Sequence, residues 1–448
     1  MEDIKQMKRG KNLFIFEATF EYFIAIIIGG AYLAKVTSAL GMSQGLTGVL
    51  SSFVSLGHVF QIFALFLAGQ RKVKGFVTVM HSINQVCFAV IYLIPGLGIP
   101  KIVKHIAFIA FLLGGHVVSN LIHSPKIGWY MTFVEEKERG NFTAKKEIFS
   151  LFGGIIFSYL VSFVIDYYEA AGLLNVAFII SAIAIFILTV AHTLILIKTP
   201  EHDLPVAKGK SNFVLATKTV FTNKRVLKVL IVVILYNLMT YMVSSFYGTY
   251  IASSKAEFGL GFSMSFIATI SFIGSAVRML FSFPMGRFAD KYSFKTMAIL
   301  CYAIFGVAFA VNAFTNPSNG KVMYVIYTIV QAIAMAGANS CVINLLYEEV
   351  KPELRMSAYA VQNAVAGLIG FLGAILAGVF VDKVQMNANG MLLGLYAQQW
   401  LSIFGVFLAV VLVLYVVLFL KKKKGEENGQ NHFETGFKEL EEEPAQKE

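Results

Sequence analysis

The sequence predicts an all-α integral membrane protein with twelve transmembrane helices in two pseudo-symmetric six-helix bundles. Three observations predict it: an apolar composition, the number of helix-length apolar segments, and an internal repeat. Of 448 residues, 57% are hydrophobic and 14% charged, with a mean hydropathy of +0.70. A soluble chain carries about a quarter charged residues. A bilayer core needs about 20 apolar residues in helix, and segments of that kind fall at roughly 12–34, 44–68, 75–95, 104–130, 146–166, 174–198, 228–251, 263–285, 294–314, 322–347, 356–381 and 397–420. A polar stretch divides them six and six. The expected bundles are therefore 1–198 and 228–421, joined by a cytoplasmic linker at 199–227. Within that linker, Ser211 to Arg225 can form a short helix lying on the membrane surface. Residues 422–448 are acidic and poor in bulky apolar side chains, as expected of a disordered cytoplasmic tail.

The net charge is +11, from 37 Lys and Arg against 26 Asp and Glu. Its placement is topological. With the N-terminus inside, about 30 basic residues fall on the cytoplasmic side and about 5 outside. Both termini are thus expected in the cytoplasm, in a multi-pass protein of the plasma or inner membrane, and nucleic acid is not an expected partner. Cys87, Cys301 and Cys341 all lie in apolar runs, which argues against a disulfide framework or a metal cluster. The basic start, Met1 to Asn12, runs into an apolar helix without a small-residue cleavage site and reads as an uncleaved first span.

The two halves echo each other. Gly69-Gln70-Arg71-Lys72-Val73-Lys74-Gly75 follows the second span and Gly286-Arg287-Phe288-Ala289-Asp290-Lys291-Tyr292-Ser293-Phe294-Lys295 follows the eighth, with leading glycines about 217 apart (286 − 69). Val134 to Arg139 follows the fourth span and Val350 to Arg355 the tenth, with arginines about 216 apart (355 − 139). Two loops with one offset indicate two parallel six-helix repeats.

On these residues the chain, over about 10–421, resembles the major facilitator superfamily. That family's loop pattern, Gly-x-Leu-Ala-Asp-Arg-x-Gly-Arg-Arg/Lys, is matched at Gly286, Ala289, Asp290, Lys291 and Lys295, with Phe288 in place of Leu and Ser293 in place of the second Gly. The resemblance implies alternating access and a cytoplasmic gate made of Gly286, Asp290, Lys291 and Lys295 with Arg139 and Arg355, a cluster that latches the outward-open state. Gly286 would allow close helix approach. The alternative is ordinary loop charge. The first-half copy has no Asp. Gly153-Gly154 lacks the Gly-Pro-x-x-Gly-Gly of drug/proton antiporters, the sugar-porter Gly-Arg-Arg loop is absent, and Glu17-x-x-x-Glu21-Tyr22 lacks the spacing and Arg of the peptide-transporter Glu-x-x-Glu-Arg. No subfamily follows.

Glu17 and Glu21 stand in the first span, on one face by their i, i+4 spacing. A charge at that depth costs about 2.5–3.5 kcal/mol or more against lipid, so the face must look into the bundle or a wet cavity. Arg278, in the eighth span, is the deeply placed cation expected to pair with one of them, leaving the other to bind a proton. A purely structural ion pair is the alternative. His116, Asn120 and His123 share a face of the fourth span; Asn237 and Tyr241 lie in the seventh, Gln331 and Asn339 in the tenth. In the family fold, spans one, four, seven and ten line the cavity, so these seven are the expected substrate-cavity residues. The same polar side chains also serve as glue between helices. Gln398, Gln399 and Trp400 read as an interfacial anchor.

The expected function is a secondary active transporter, proton-coupled, moving a small polar or anionic solute as symporter or antiporter, with protons, the solute and the bilayer as partners and a monomer as the working unit. A guanidinium deep in a cavity suits a carboxylate or phosphate. A drug or metabolite efflux antiporter is the alternative. An intramembrane enzyme is disfavoured, because no nucleophile–base set or acidic metal-binding run is present. No catalytic residue, cofactor or metal is expected.

Overall fold

The structure, a computed structural model, describes residues 2–67, 72–134, 138–201, 209–387 and 389–420. The acidic tail lies outside the described residues, as do 69–71 of the first repeat loop and 135–137 of the loop after the fourth span.

The chain is helical almost throughout. Among the described residues, eleven helices are long and apolar enough to cross a membrane, and a bent pair makes a twelfth span. That pair is α1 (Glu2–Ile27) and α2 (Gly30–Ala39), at 48° to each other. The bend falls at Gly29 and Gly30, the latter at φ +53°, which glycine adopts without a Cβ clash. The Tyr92 hydroxyl donates to the carbonyl of Ile27, which the break leaves without a helical partner.

The second span is interrupted: α3 (Gln44–Ser51), α4 (Phe53–Gly57), a 3₁₀ turn, and α5 (Gln61–Leu67). Spans three to six are α6 (Lys74–Leu93), α7 (Lys101–Met131), α8 (Arg139–Ala170) and α9 (Leu174–Lys198). The linker carries α10 (Gly209–Thr222), close to the surface helix expected there. Spans seven to twelve are α11 (Lys224–Ala252), α12 (Met264–Tyr292), α13 (Phe294–Ala313), α14 (Gly320–Tyr347), α15 (Arg355–Gln385) and α16 (Ala397–Phe419). Before α16 comes a short antiparallel hairpin, β1 (Met391–Leu392) with β2 (Leu395–Tyr396). The Trp400 indole donates to the carbonyl of Leu392, while the Gln398 and Gln399 amides donate to the carbonyls of Val243 and Ala313. These side chains tie helices together at this end of the bundle.

The packing repeats with the sequence. In the first half α1 packs on α8, and α6 on both α7 and α9; in the second, α11 packs on α15, and α13 on both α14 and α16. The halves meet along two symmetric seams, α3 with α15 and α12 with α8, and between them α11 packs on α2 and α3. At the face opposite the N-terminus the seams are tight. A Cβ on Gly248 of α11 would stand 2.4 Å from the carbonyl carbon of Gly30. Gly248→Ala therefore forces the helix away from the bend, and a loss of about 1–3 kcal/mol is expected from overpacking, read as a lower thermal midpoint in detergent. An unchanged midpoint would contradict the close approach.

Candidate functional site

The site grows from the first span. Glu17 and Glu21 lie one turn apart on α1, and both reach the ammonium of Lys126 on α7. Lys126 Nζ is 3.0 Å from Glu17 Oε1, 2.5 Å from Glu21 Oε2 and 3.2 Å from His81 Nε2 on α6. An ammonium has three N–H groups, so each has one acceptor. His192 on α9 completes the cluster. Its Nε2 is 3.2 Å from Glu17 Oε1 and its Nδ1 is 2.5 Å from the Gln85 amide nitrogen. A neutral ring protonated on Nε2 satisfies both contacts: it donates to Glu17 and accepts from Gln85. The His81 and His192 rings meet edge to face at 4.3 Å between centroids.

Burial divides the two carboxylates. Glu17, His81, His192 and Lys126 are sealed, at 2% exposure or less, whereas the Glu21 side chain is 36% exposed. On the N-terminal side the seal is aromatic: Phe14 stacks on Tyr130 with centroids 4.2 Å apart, and Trp129 lies alongside. On the other side Glu21 opens into a cavity of about 230 Å³, walled by Ile24, Leu50, Val54, Phe88, His116 and Ser119 among others.

Two carboxylates face one ammonium, so with neutral imidazoles the cluster carries one surplus negative charge. The exposed carboxylate places that surplus at the cavity. Glu17 Oε2, His81 Nδ1 and Gln85 Oε1 are buried without a hydrogen-bond partner. Glu17, His81 and His192 also present ligand atoms within 4.8 Å of one another, as a metal site would. However, Lys126 already brings a positive charge to 3.0 Å from the carboxylate and 3.2 Å from the His81 nitrogen. The trio is accounted for by that ammonium.

The cation that meets the glutamates is therefore Lys126, not Arg278. The fourth span runs through Pro125 to Met131, so Lys126 is still inside the helix rather than in the loop beyond it. Pro125 removes one backbone bond in the turn that carries Lys126. Arg278 on α12 has no ion pair among the described residues, and lies near enough to Tyr22 of α1 and Tyr236 of α11 to act electrostatically on their hydroxyls.

Of the seven expected cavity residues, His116 lines this cavity. Asn120 instead ties helices together: it accepts from Gln61 Nε2 at 2.9 Å and donates to the His116 carbonyl. His123 is exposed, one turn before Lys126. Tyr241 and Asn237 pack against Gly370 of α15, and Gln331 donates to Ser244 Oγ at 3.3 Å. Asn339 is exposed. The cavity here is built from spans one to four, because the bend in α1 and the breaks in the second span open space within that half.

The expected gate residues do not converge on one contact. Gly286 is exposed, with nothing within 4 Å of an added Cβ, so it does not serve close helix approach. Asp290 is exposed and has no ion pair among the described residues. Helix α12 continues through this motif to Tyr292, and Ser293, in place of the pattern's glycine, takes φ +117°. Lys291 lies over the Tyr292 ring and Lys295 donates to the Leu420 carbonyl. Arg355 lies over the Tyr347 ring. The side chain of Arg139 lies outside the described residues.

Residues 238–445 match the profile of the Major Facilitator Superfamily. The second half of the chain is thus similar in sequence to that family. Solved structures extend a likeness of fold to more than nine-tenths of the chain. A point variant of the nucleoside transporter NupG aligns with a TM-score of 0.73 at 18% identity, over 92% of this chain and 100% of that one. A D-xylose–proton symporter gives 0.68 at 14%, over 94% and 99%. An auto-inhibited peptide transporter of the POT family gives 0.62 at 13%, over 93% and 98%. At such identities the likeness is one of fold. No curated protein matches the chain in sequence. With eleven helices long and apolar enough to cross a membrane among the described residues, or twelve with the bent pair, the chain has the make-up of a multi-pass membrane protein.

Proposed function

We propose that the chain is a secondary active transporter, proton-coupled, that moves a small polar or anionic solute by alternating access, with both termini on the cytoplasmic side of a cell or inner membrane. The observation that carries the reading is Glu21: a carboxylate joined to Lys126 at 2.5 Å, yet open to a cavity of about 230 Å³. A surplus negative charge inside a membrane demands a partner. At Glu21 a proton arriving through the cavity supplies it. A carboxylate that loses its neighbouring cation while staying buried holds a proton more strongly, so any movement of Lys126 between the two glutamates couples protonation to conformation. The structural neighbours include a proton symporter, which fits this reading.

Arg278 is the second element. Its guanidinium, unpaired among the described residues and near helices of both halves, suits the carboxylate or phosphate of a solute. Charge-assisted hydrogen bonds contribute about 1.5–3 kcal/mol. Arg278→Gln is therefore expected to raise KM for an anionic solute by about 10–100-fold and to leave a neutral analogue unchanged. Equal effects on both solutes would remove Arg278 from the binding site. The surplus charge at Glu21 would equally suit a cationic drug, the efflux alternative. Thermal stabilisation of purified protein by a panel of organic acids, amino acids, nucleosides, sugars and lipophilic cations separates the two, since binding to the folded state raises the melting temperature. Stabilisation by lipophilic cations alone, indifferent to Arg278→Gln, would favour efflux.

A further inference from the structure

At the face opposite the N-terminus, each half of the molecule places a carboxylate on the start of a helix in the other half. Asp166, near the end of α8, accepts from the backbone N–H of Met264 at 2.7 Å and of Ser265 at 2.8 Å, the first two residues of α12. Asp382, near the end of α15, accepts from the backbone N–H of Gly45 and from the Ser43 hydroxyl, both at 2.9 Å, at the start of α3. The two aspartates are about 216 positions apart (382 − 166), the offset that relates the repeats. The helix starts match too. Ser263 Oγ accepts from Phe266 N in one and Ser43 Oγ from Leu46 N in the other.

The first N–H groups of a helix have no partner within it. A carboxylate there both satisfies them and meets the positive end of the helix dipole. Each aspartate also sits on one of the two seams between the halves, α8 with α12 and α15 with α3. At the second seam the backbones are almost in contact, since a Cβ on Gly45 would stand 2.3 Å from the Gly378 carbonyl oxygen.

We propose that Asp166 and Asp382 are positioning residues of a two-point clasp that holds the transporter shut on the face opposite its N-terminus. The proposal rests on the alternating-access reading but needs neither the proton nor the solute assignment. Opening that face requires α12 to leave α8 and α3 to leave α15, so both carboxylates must let go together. Each exchange runs from one half to the other, so the clasp ties two rigid halves and not two neighbours within one.

The test is accessibility from each side. Val54, exposed to the cavity, is replaced by cysteine as reporter in a Cys87→Ser background; Cys301 and Cys341 are fully buried. Vesicles of each orientation are labelled with a membrane-impermeant maleimide. The Asp166→Asn/Asp382→Asn double variant is expected to label about tenfold faster or more from the face opposite the N-terminus, and more slowly from the N-terminal face, with each single variant between it and the wild type. Unchanged labelling overturns the clasp. So does faster labelling from both faces, which marks general loosening. If the double variant fails to insert, the single variants decide by the same reciprocal pattern.

Discussion

Lys126→Met is expected to cost about 3–5 kcal/mol of stability, the usual penalty for removing one partner of a buried ion pair. The reason is specific to Glu17. That carboxylate is wholly buried, and it keeps only the His192 N–H once the ammonium is gone. Glu21 can turn toward the cavity for water, but Glu17 cannot. The deficit should be largest at alkaline pH and shrink on acidification, because a proton on Glu17 removes the unpaired charge. The other titratable groups facing it are Glu21, His81 and His192, with His123 one turn before Lys126. Adding Glu17→Gln to Lys126→Met should recover much of the loss, since no bare charge then remains. Thermal midpoints in detergent across about pH 4 to 8.5, a window that includes the ordinary pKa values of Glu (about 4.3) and His (about 6.5), check both statements. A Lys126→Met variant as stable as wild type at high pH would mean that the cluster is not organised around this lysine.

The second large effect is functional. Glu21→Gln keeps the shape and one acceptor oxygen for Lys126, and it removes the site where a proton would bind. Accumulation of solute driven by a proton gradient should fall by about two orders of magnitude. Counterflow, which exchanges solute for solute with no net proton movement, should remain within a few-fold of wild type. The split matters. A residue needed merely for folding would lose both activities, and a residue outside the coupling path would lose neither. Glu17→Gln should be less selective, because Glu17 also anchors His192 and the sealed side of the cluster.

The architecture was legible in the sequence because lipid imposes a simple rule: a span must be apolar over about 20 residues. The repeat was legible because two loops share one offset. The first span's bend was not foreseen, although Gly29-Gly30 stood in the sequence; nothing local says whether two glycines bend a helix or admit a neighbour. The site was half legible. Glu17 and Glu21 announced themselves by cost alone, since a charge in a span needs a partner. Their partner was misplaced because Lys126 stands one residue after Pro125 near the predicted end of a span, where it passes for a loop cation. The face marked by His116, Asn120 and His123, continued one turn past His123, reaches it. His81 and His192 carried a signal that position alone supplies: each is an imidazole deep in an apolar span. The gate motif is expected to close only when the opposite face opens. Its residues match a family pattern, but Gly286 and Asp290 are exposed in this conformation, and the bonds that join the two halves at Asp166 and Asp382 lie at the opposite face.

Direct observation of proton movement tests the central claim best. Protein in liposomes loaded with a pH-sensitive dye, with voltage clamped by potassium and valinomycin, would be given a gradient of whichever panel solute stabilises it most. The account predicts a solute-driven pH change in wild-type vesicles that disappears in Glu21→Gln while counterflow persists. Solute flux with no pH change in the wild type, or the same pH change in Glu21→Gln, would contradict it.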